Sequence, residues 1–434
     1  MAGRYKAYPE YKDSGITWTG KVPSHWTLVR FKHVLAEKKK TSNPSLPAGS
    51  ISFGEVVYKN DETISPETKA SYQEVLKGEF LVNPLNMNYD LLSLRTALSS
   101  IDVVVSTGYI VLRSNARLNP RYARWLLQEF DVAHMKTLGS GVRQTINYTD
   151  IGNSFFFEVP ESEQKQIAKF LDHETGKIDA LIKKQQALIA LLQEKRQAVI
   201  SHAVTKGLNP HAKMKDSGVE WLGDVPEHWT VAGLKKYLNR IVDYRGKTPT
   251  KVDEGVFLVT ARNIKNGRID YDASQEYIPN SEYESVMSRG KPKVGDLLFT
   301  TEAPLGEVAQ IDREDIALAQ RIVKFRAQPR YLKNDYLKYL IQSDQFQHSL
   351  SMYASGSTAP GIKAERFVYL RILLPPLDEQ ASIVRHIEEV KAKLDSLQEC
   401  ADQQANILKE RRTALISAAV TGKIDVRDWT APEA

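Results

Sequence analysis

The stretch at residues 12–35, KDSGITWTGKVPSHWTLVRFKHVL, returns at residues 215–238 as KDSGVEWLGDVPEHWTVAGLKKYL, with thirteen of 24 positions identical at a constant offset of 203. Self-similarity on that scale means that one scaffold is built twice, because both copies must bury the same residues in the same way. The retained positions include Trp18/Trp221, Pro23/Pro226, His25/His228 and Trp26/Trp229. Gly, Pro and Trp in a short polar segment lock a turn onto a surface, so each copy reads as a clasp.

A second repeat runs over residues 163–205 and 379–421 at an offset of 216, opening on Glu163-Gln164 and Glu379-Gln380 and closing on Ala203-Val204-Thr205 and Ala419-Val420-Thr421. Its period is helical. Alternate steps of four and three place Ile167, Leu171, Ile178, Leu181, Leu188, Leu192 and Val199 on one seam. In the second copy the same steps place Ile383, Ile387, Val390, Leu394, Leu397, Leu408 and Leu415 there. A seam this narrow belongs to a coiled coil and not to a helix lying flat on a domain, so the two helices are expected to pair with each other. Polar residues interrupt it at Gln185, Lys195, Gln404 and Arg411. Without proline, each helix can run about 40 residues, or roughly 60 Å at 1.5 Å per residue, which is a spacer's length.

Between the repeats lie residues 36–158 and 239–374, which occupy equivalent places yet share little sequence. Both carry short β-type runs such as IDVVV (101–105), YIVL (109–112), VFLVT (256–260) and DLLFT (296–300). Each ends with a helix-like stretch (120–135, 334–352), a Gly/Ser loop and an apolar exit strand (155–159, 369–374). The expectation is a mixed α/β (α+β) chain with an internal repeat. Residues 1–160 form a first domain with its clasp at 12–35, and residues 161–207 a central helix. Residues 208–374 form a second domain with its clasp at 215–238, and residues 375–425 a C-terminal helix.

At 434 residues the chain exceeds one ordinary core. No apolar run reaches the roughly 18 residues of a membrane span, and the first residues carry no apolar signal segment, so a cytoplasmic protein with no membrane partner is expected. A single cysteine, Cys400, offers neither an internal disulfide nor a zinc cluster. The net charge of +6 and pI near 9.0 suit a polyanionic partner.

Catalytic signatures fail on inspection. Gly246-Lys247-Thr248 resembles the end of a phosphate loop, but Ile241 stands where that loop needs glycine. Asn83-Pro84-Leu85-Asn86 lacks the second proline and the aromatic of an adenine-methyltransferase loop. Pro160-Glu161-Ser162-Glu163-Gln164-Lys165 resembles a magnesium-nuclease signature, yet its repeat, Pro376-Leu377-Asp378-Glu379-Gln380-Ala381, has no lysine. The acidic residues serve better as helix-start residues. The nine histidines show no metal-binding spacing. No catalytic residue, metal or bound cofactor is expected.

Sequence reading on DNA needs Arg, Lys, Asn and Gln at base edges, backed by phosphate contacts. In the first interval the candidates are Ser140, Arg143 and Gln144, in a loop whose glycines permit close backbone approach. In the second they are Arg245 and Lys247, then Arg262, Asn263 and Lys265, and finally Ser357, Lys363 and Arg366.

These features together resemble the specificity subunit of type I restriction-modification systems over essentially the whole chain. The residues that carry the resemblance are the paired KDSG…W.G.VP.HW segments, the Glu-Gln-opened helices, the helix ends at 198–207 and 414–423, and Gly295-Asp296-Leu297-Leu298-Phe299. The resemblance implies two target-recognition domains in pseudo-twofold relation, joined by antiparallel conserved helices. Each domain would read one half of an asymmetric, gapped double-stranded DNA target. It also implies two modification subunits that bring S-adenosylmethionine, and through them restriction subunits that use ATP and magnesium. A stand-alone nuclease or methyltransferase, and a coiled-coil adaptor that binds only proteins, remain open alternatives on the residues alone.

Overall fold

The computed structural model describes residues 5–85, 94–139, 145–244, 248–356 and 360–432. The chain divides into two compact units, Met1–Gln185 with Gln403–Ala434, and Gln186–Asp402. Each unit contains one clasp, one interval, and half of each of two long helices, Glu161–Lys206 and Leu377–Val420.

In the first unit the clasp is an antiparallel hairpin, Tyr11–Asp13 against Lys21–Pro23, after which Thr27–Arg30 pairs with the exit strand Phe155–Glu158. The interval forms a six-stranded sheet in the order Leu35–Glu37, Ile110–Ser114, Phe80–Val82, Thr96–Leu98, Glu55–Tyr58 and Gly49–Ser52. A core of Phe31, Phe80, Tyr122, Trp125, Phe130 and Phe156 joins this sheet to helix Pro120–Ala133 and the long helices. Asn119 caps that helix by accepting from the Arg121 and Tyr122 amides, and Pro120 follows at the first turn, where its missing N–H costs nothing.

The second unit repeats the plan. Met214–Asp216 pairs with Asp224–Pro226, and Thr230–Gly233 with the exit strand Arg371–Leu374. Its interval holds a four-stranded antiparallel sheet, ordered Leu238–Asp243, Ile322–Ala327, Leu297–Thr300 and Val308–Gln310. Beside it stands a three-stranded sheet, Tyr277–Ile278, Val256–Val259 and Ile316–Leu318, the last two parallel.

The glutamines that open the long helices explain part of the repeat. Gln164 donates to the Val159 and Arg117 carbonyls and accepts from the Asn119 amide. Gln380 donates to those of Pro375 and Tyr331 and accepts from the Lys333 amide. Both side chains are fully buried, so each must satisfy its own polar atoms, and in doing so it ties the helix start to the loop before helix Pro120–Ala133 in the first unit and before helix Asn334–Gln342 in the second. The helix ends are equally specific. Gly422, at φ +73°, brings its backbone so close to the clasp that a Cβ there would lie 2.4 Å from Pro23.

Within each unit the long helices pack antiparallel. In the first, Asp179 pairs with Arg412 at 2.8 Å; in the second, Arg196 pairs with Asp395. Asp179 and Asp395 occupy equivalent places in the repeat, as do Arg196 and Arg412, so one ion pair is built twice with the helices exchanging roles. Ile167, Leu171 and Ile178 are buried with Leu415, Ile416, Ala419 and Val420 in the first unit. In the second, Ile200, Ala203 and Val204 are buried with Ile383 and Ile387. Leu192 and Leu394 are buried too, and Val199, Val390 and Leu408 are half-buried.

The structure corrects half of the seam. Leu181, Leu188 and Leu397 are 46%, 43% and 55% exposed, and the polar positions Lys195, Gln404 and Arg411 are exposed as well. The packed residues sit one place later: Ile182, Ile189, Arg196, Ala203, Gln398, Ala405 and Arg412 are half-buried or buried. From the shared positions Ile178, Gln185, Leu192 and Val199 the steps therefore run four-then-three where three-then-four was expected. Adjacent apolar pairs such as Leu181-Ile182 and Leu188-Ile189 leave the phase open in the sequence, and the structure packs the second member of each pair, in phase with the Arg196–Asp395 and Arg412–Asp179 pairs. In the isolated chain Leu188→Ala is expected to change stability by less than about 0.5 kcal/mol, whereas Leu192→Ala should cost about 2–3 kcal/mol. Urea unfolding midpoints of the two variants would check this; equal losses would restore the original seam.

Candidate nucleic-acid interface

In the second unit the two parallel strands Val256–Val259 and Ile316–Leu318 finish side by side, and the Ala319 amide donates to the Val259 carbonyl at 2.9 Å. Strand Leu297–Thr300 ends where its antiparallel neighbour Ile322–Ala327 begins, and the Thr301 amide donates to the Arg321 carbonyl at 3.0 Å. Three turns, 260–262, 301–304 and 319–321, therefore meet at one corner. A fourth joins them: the Ile362 amide donates to the Thr301 carbonyl at 2.9 Å, and Gly361 bridges to Glu302. Gly361 lies so near that a Cβ there would stand 3.3 Å from both Glu302 Cβ and the Thr301 carbonyl. The corner encloses a cavity of about 280 Å³ whose polar lining includes Thr248, Lys251, Thr260, Arg262, Gln320 and Arg321. Two ion pairs stand on its rim, Lys251–Glu276 at 2.6 Å and Arg321–Glu302 at 3.1 Å.

Behind the corner the sheet is braced by a buried charge cluster. Asp296 receives Lys324 Nζ at 3.0 Å and Arg326 Nε and Nη2 at 2.5 and 2.9 Å. Burial lowers the Lys324 pKa, and Arg326 and Arg240 add to the effect, while Asp296 opposes it. The first unit has its own version, Glu79 with Lys38 at 3.0 Å and Arg113 at 2.6 Å. Its loop before the exit strand also returns to the sheet in the same way, the Ile146 amide donating to the Pro84 carbonyl at 3.1 Å.

Of the residues expected from sequence to meet DNA, Arg262 is exposed on the cavity rim. Lys363 is exposed directly after the Gly361–Ile362 connection, and Arg366 is exposed with Nη1 donating to the Tyr353 carbonyl at 2.7 Å. Lys265 lies apart from the cavity, on a small hairpin, Ile264–Lys265 with Arg268–Ile269. Asn266 at the hairpin's tip reaches Glu307, and a Cβ on Gly267 there would lie 3.0 Å from Gln342 Nε2. Asn263 is a correction. It is 0% exposed, accepts from the Thr260 amide and hydroxyl, and donates to the Asp270 and Ser274 carbonyls. Its amide is fully used in holding the turn and cannot read a base. Ser140, Arg143, Gln144, Arg245, Lys247 and Ser357 lie outside the described residues.

Sequence reading passed over Glu302, Gln320 and Arg321. The usable signal was the run IALAQRIVKF (316–325), in which two polar residues interrupt apolar strand sequence and mark a turn too short to contain the glycines that drew attention elsewhere. Among the described residues no group of three or more His, Cys, Asp or Glu side chains is arranged to hold a metal ion, and no helix is long and apolar enough to cross a membrane.

Comparison with known proteins agrees with this architecture. Residues 243–404 match the family model for the type I restriction modification DNA specificity domain. The chain is 23% identical to the type I restriction enzyme MjaVIII specificity subunit of Methanocaldococcus jannaschii, across 94% of this chain and 95% of that one. It is 22% identical to the putative MjaX specificity subunit of the same organism, across 96% and 98%. In fold it is similar to a chain from a solved structure concerned with complex assembly and conformational transition of the type I R-M system. That match has a TM-score of 0.67 and 15% identity over 92% of this chain and 98% of the other. The matching domain in the second unit, relatives spanning both units and the shared fold all indicate a type I restriction-modification specificity subunit.

Proposed function

We propose that this chain directs its complex to an asymmetric, two-part target on double-stranded DNA, one half read by each unit. In this reading it has no catalytic residues and binds no cofactor. Two modification subunits dock on it and supply S-adenosylmethionine for adenine methylation, and restriction subunits joined through them supply ATP- and magnesium-dependent cleavage. The observation that carries the reading is the contrast between scaffold and insert. Gln164/Gln380, the Asp–Arg helix pairs and the clasps are the same in both units, whereas residues 36–158 and 239–374 share little sequence and form differently ordered sheets. A scaffold kept twice around two unlike inserts suits recognition of two unlike half-sites.

The test is co-expression with a modification subunit followed by genome-wide mapping of methylated adenines. A gapped, asymmetric motif is expected. Exchanging residues 36–158 for the corresponding interval of another family member should then replace one half-site and leave the other intact. If both halves change together, the units do not read independently. A chain that acts only as a protein adaptor would show no DNA affinity that falls with rising salt, which a DNA reader must show.

A further inference from the structure

The corner of the second unit contains side chains whose partners divide them by role. Gln320 is half-buried in the cavity wall, and among the described residues its amide has no hydrogen-bond partner. Arg262 is exposed on the same rim and equally without a partner among the described residues. Arg321 differs. Its Nε lies 3.1 Å from Glu302 Oε1, and Glu302 is itself held by its bridge to Gly361. An arginine whose Nε side faces a carboxylate, as in this half-exposed ion pair, keeps both Nη groups for a further partner. The carboxylate also offsets part of its charge, which makes it a weaker phosphate magnet than an unpaired arginine and leaves its Nη groups as donors. Paired Nη donors match the O6 and N7 acceptors of guanine, and a glutamine amide matches the N6 donor and N7 acceptor of adenine. Arg262, which has no ion pair among the described residues, keeps its charge for the backbone.

We propose that Gln320 and Arg321 are base-reading side chains of the second unit, that Glu302 is the positioning residue that aims Arg321, and that Arg262 is a phosphate contact on the same rim. This rests on the DNA-reading function proposed above. The sites follow from the topology: residues 319–321 and 302–304 are the turns that the two sheets deliver to one corner, and each projects a polar side chain beside the same cavity.

The test uses the full chain with its modification subunit and maps methylated adenines for the wild type and four variants. Arg321→Ala is expected to relax one base pair of one half-site by about 10- to 100-fold in discrimination. Glu302→Gln should relax that same base pair to a lesser degree, an effect that a merely structural role would not confine to one position. Gln320→Ala should relax a base pair in the same half-site. Arg262→Ala should lower methylation of all sites alike and make DNA binding less dependent on salt. A wild-type motif read unchanged by Arg321→Ala overturns the assignment while leaving the proposed function standing, as does relaxation of both half-sites together. A wild type that yields no two-part motif removes both.

Discussion

Replacing Asp296 by alanine is expected to lower the stability of the second unit by about 3–5 kcal/mol, the cost of leaving a buried cation without its counter-charge. Lys324 is 4% exposed, and among the described residues its ammonium donates only to the Asp296 carboxylate and the Lys291 carbonyl. Arg326 stands on the same carboxylate and can turn outward, being one-third exposed, but Lys324 cannot. The deficit should depend on pH in a defined direction. Burial already lowers the Lys324 pKa, and losing Asp296 removes the group that opposes that shift. A cation whose folded pKa lies below its unfolded value binds fewer protons in the folded state, so stability rises with pH between the two. The variant's loss should therefore be greatest near neutral pH and shrink as pH approaches the ordinary lysine range. Urea unfolding at pH 7 and pH 9.5 would check it; a deficit constant across that range would mean that the carboxylate acts by packing alone.

Glu163→Ala should cost about 3–4 kcal/mol, because a buried donor left unsatisfied costs about 1–3 kcal/mol and Glu163 serves two of them. Glu163, 4% exposed, accepts from the Tyr8 hydroxyl and from Trp26 Nε1 at 3.2 Å, with His25 Nε2 2.9 Å from its other oxygen. Burial and the nearby Glu163 charge both hold the Tyr8 pKa far above the usual phenol range, so its hydroxyl stays a donor. The repeat supplies an internal control. Glu379 is 26% exposed at its side chain and pairs with His228 at 2.8 Å, while Trp229 Nε1 has no partner among the described residues. Glu379→Ala should accordingly cost only about 1 kcal/mol or less, as for an exposed polar contact. Thermal unfolding of both variants would test the asymmetry, and equal losses would mean that the buried donors of the first clasp contribute nothing beyond the His–Glu contact.

Much of the architecture was legible because the repeat announces it. Two copies of a segment containing Trp, Pro and His at matching places, and two Glu-Gln helix starts, require two copies of one packing, and the clasps, helices and exit strands lie where the repeats place them. The interface was less legible. Asn263 reads as a polar turn residue available to DNA, yet the same small amide that can meet adenine can also tie a turn to itself, and here it does so four times. Arg321 was missed for the opposite reason: it sits between apolar strands without a glycine to draw the eye, and its ion-pair partner Glu302 belongs to another turn.

The amino-acid order by itself determined that the scaffold is duplicated, that its helices are long and paired, and that the inserts differ, since periodicity and self-similarity are properties of one dimension. Only the tertiary structure decided which of two neighbouring leucine or isoleucine positions faces the partner helix, that Asp179 meets Arg412 while its repeat-mate Asp395 meets Arg196, and that three distant turns share a corner. Those outcomes depend on which burials and ion pairs can be satisfied together in space, and a local pattern of side chains carries no record of that.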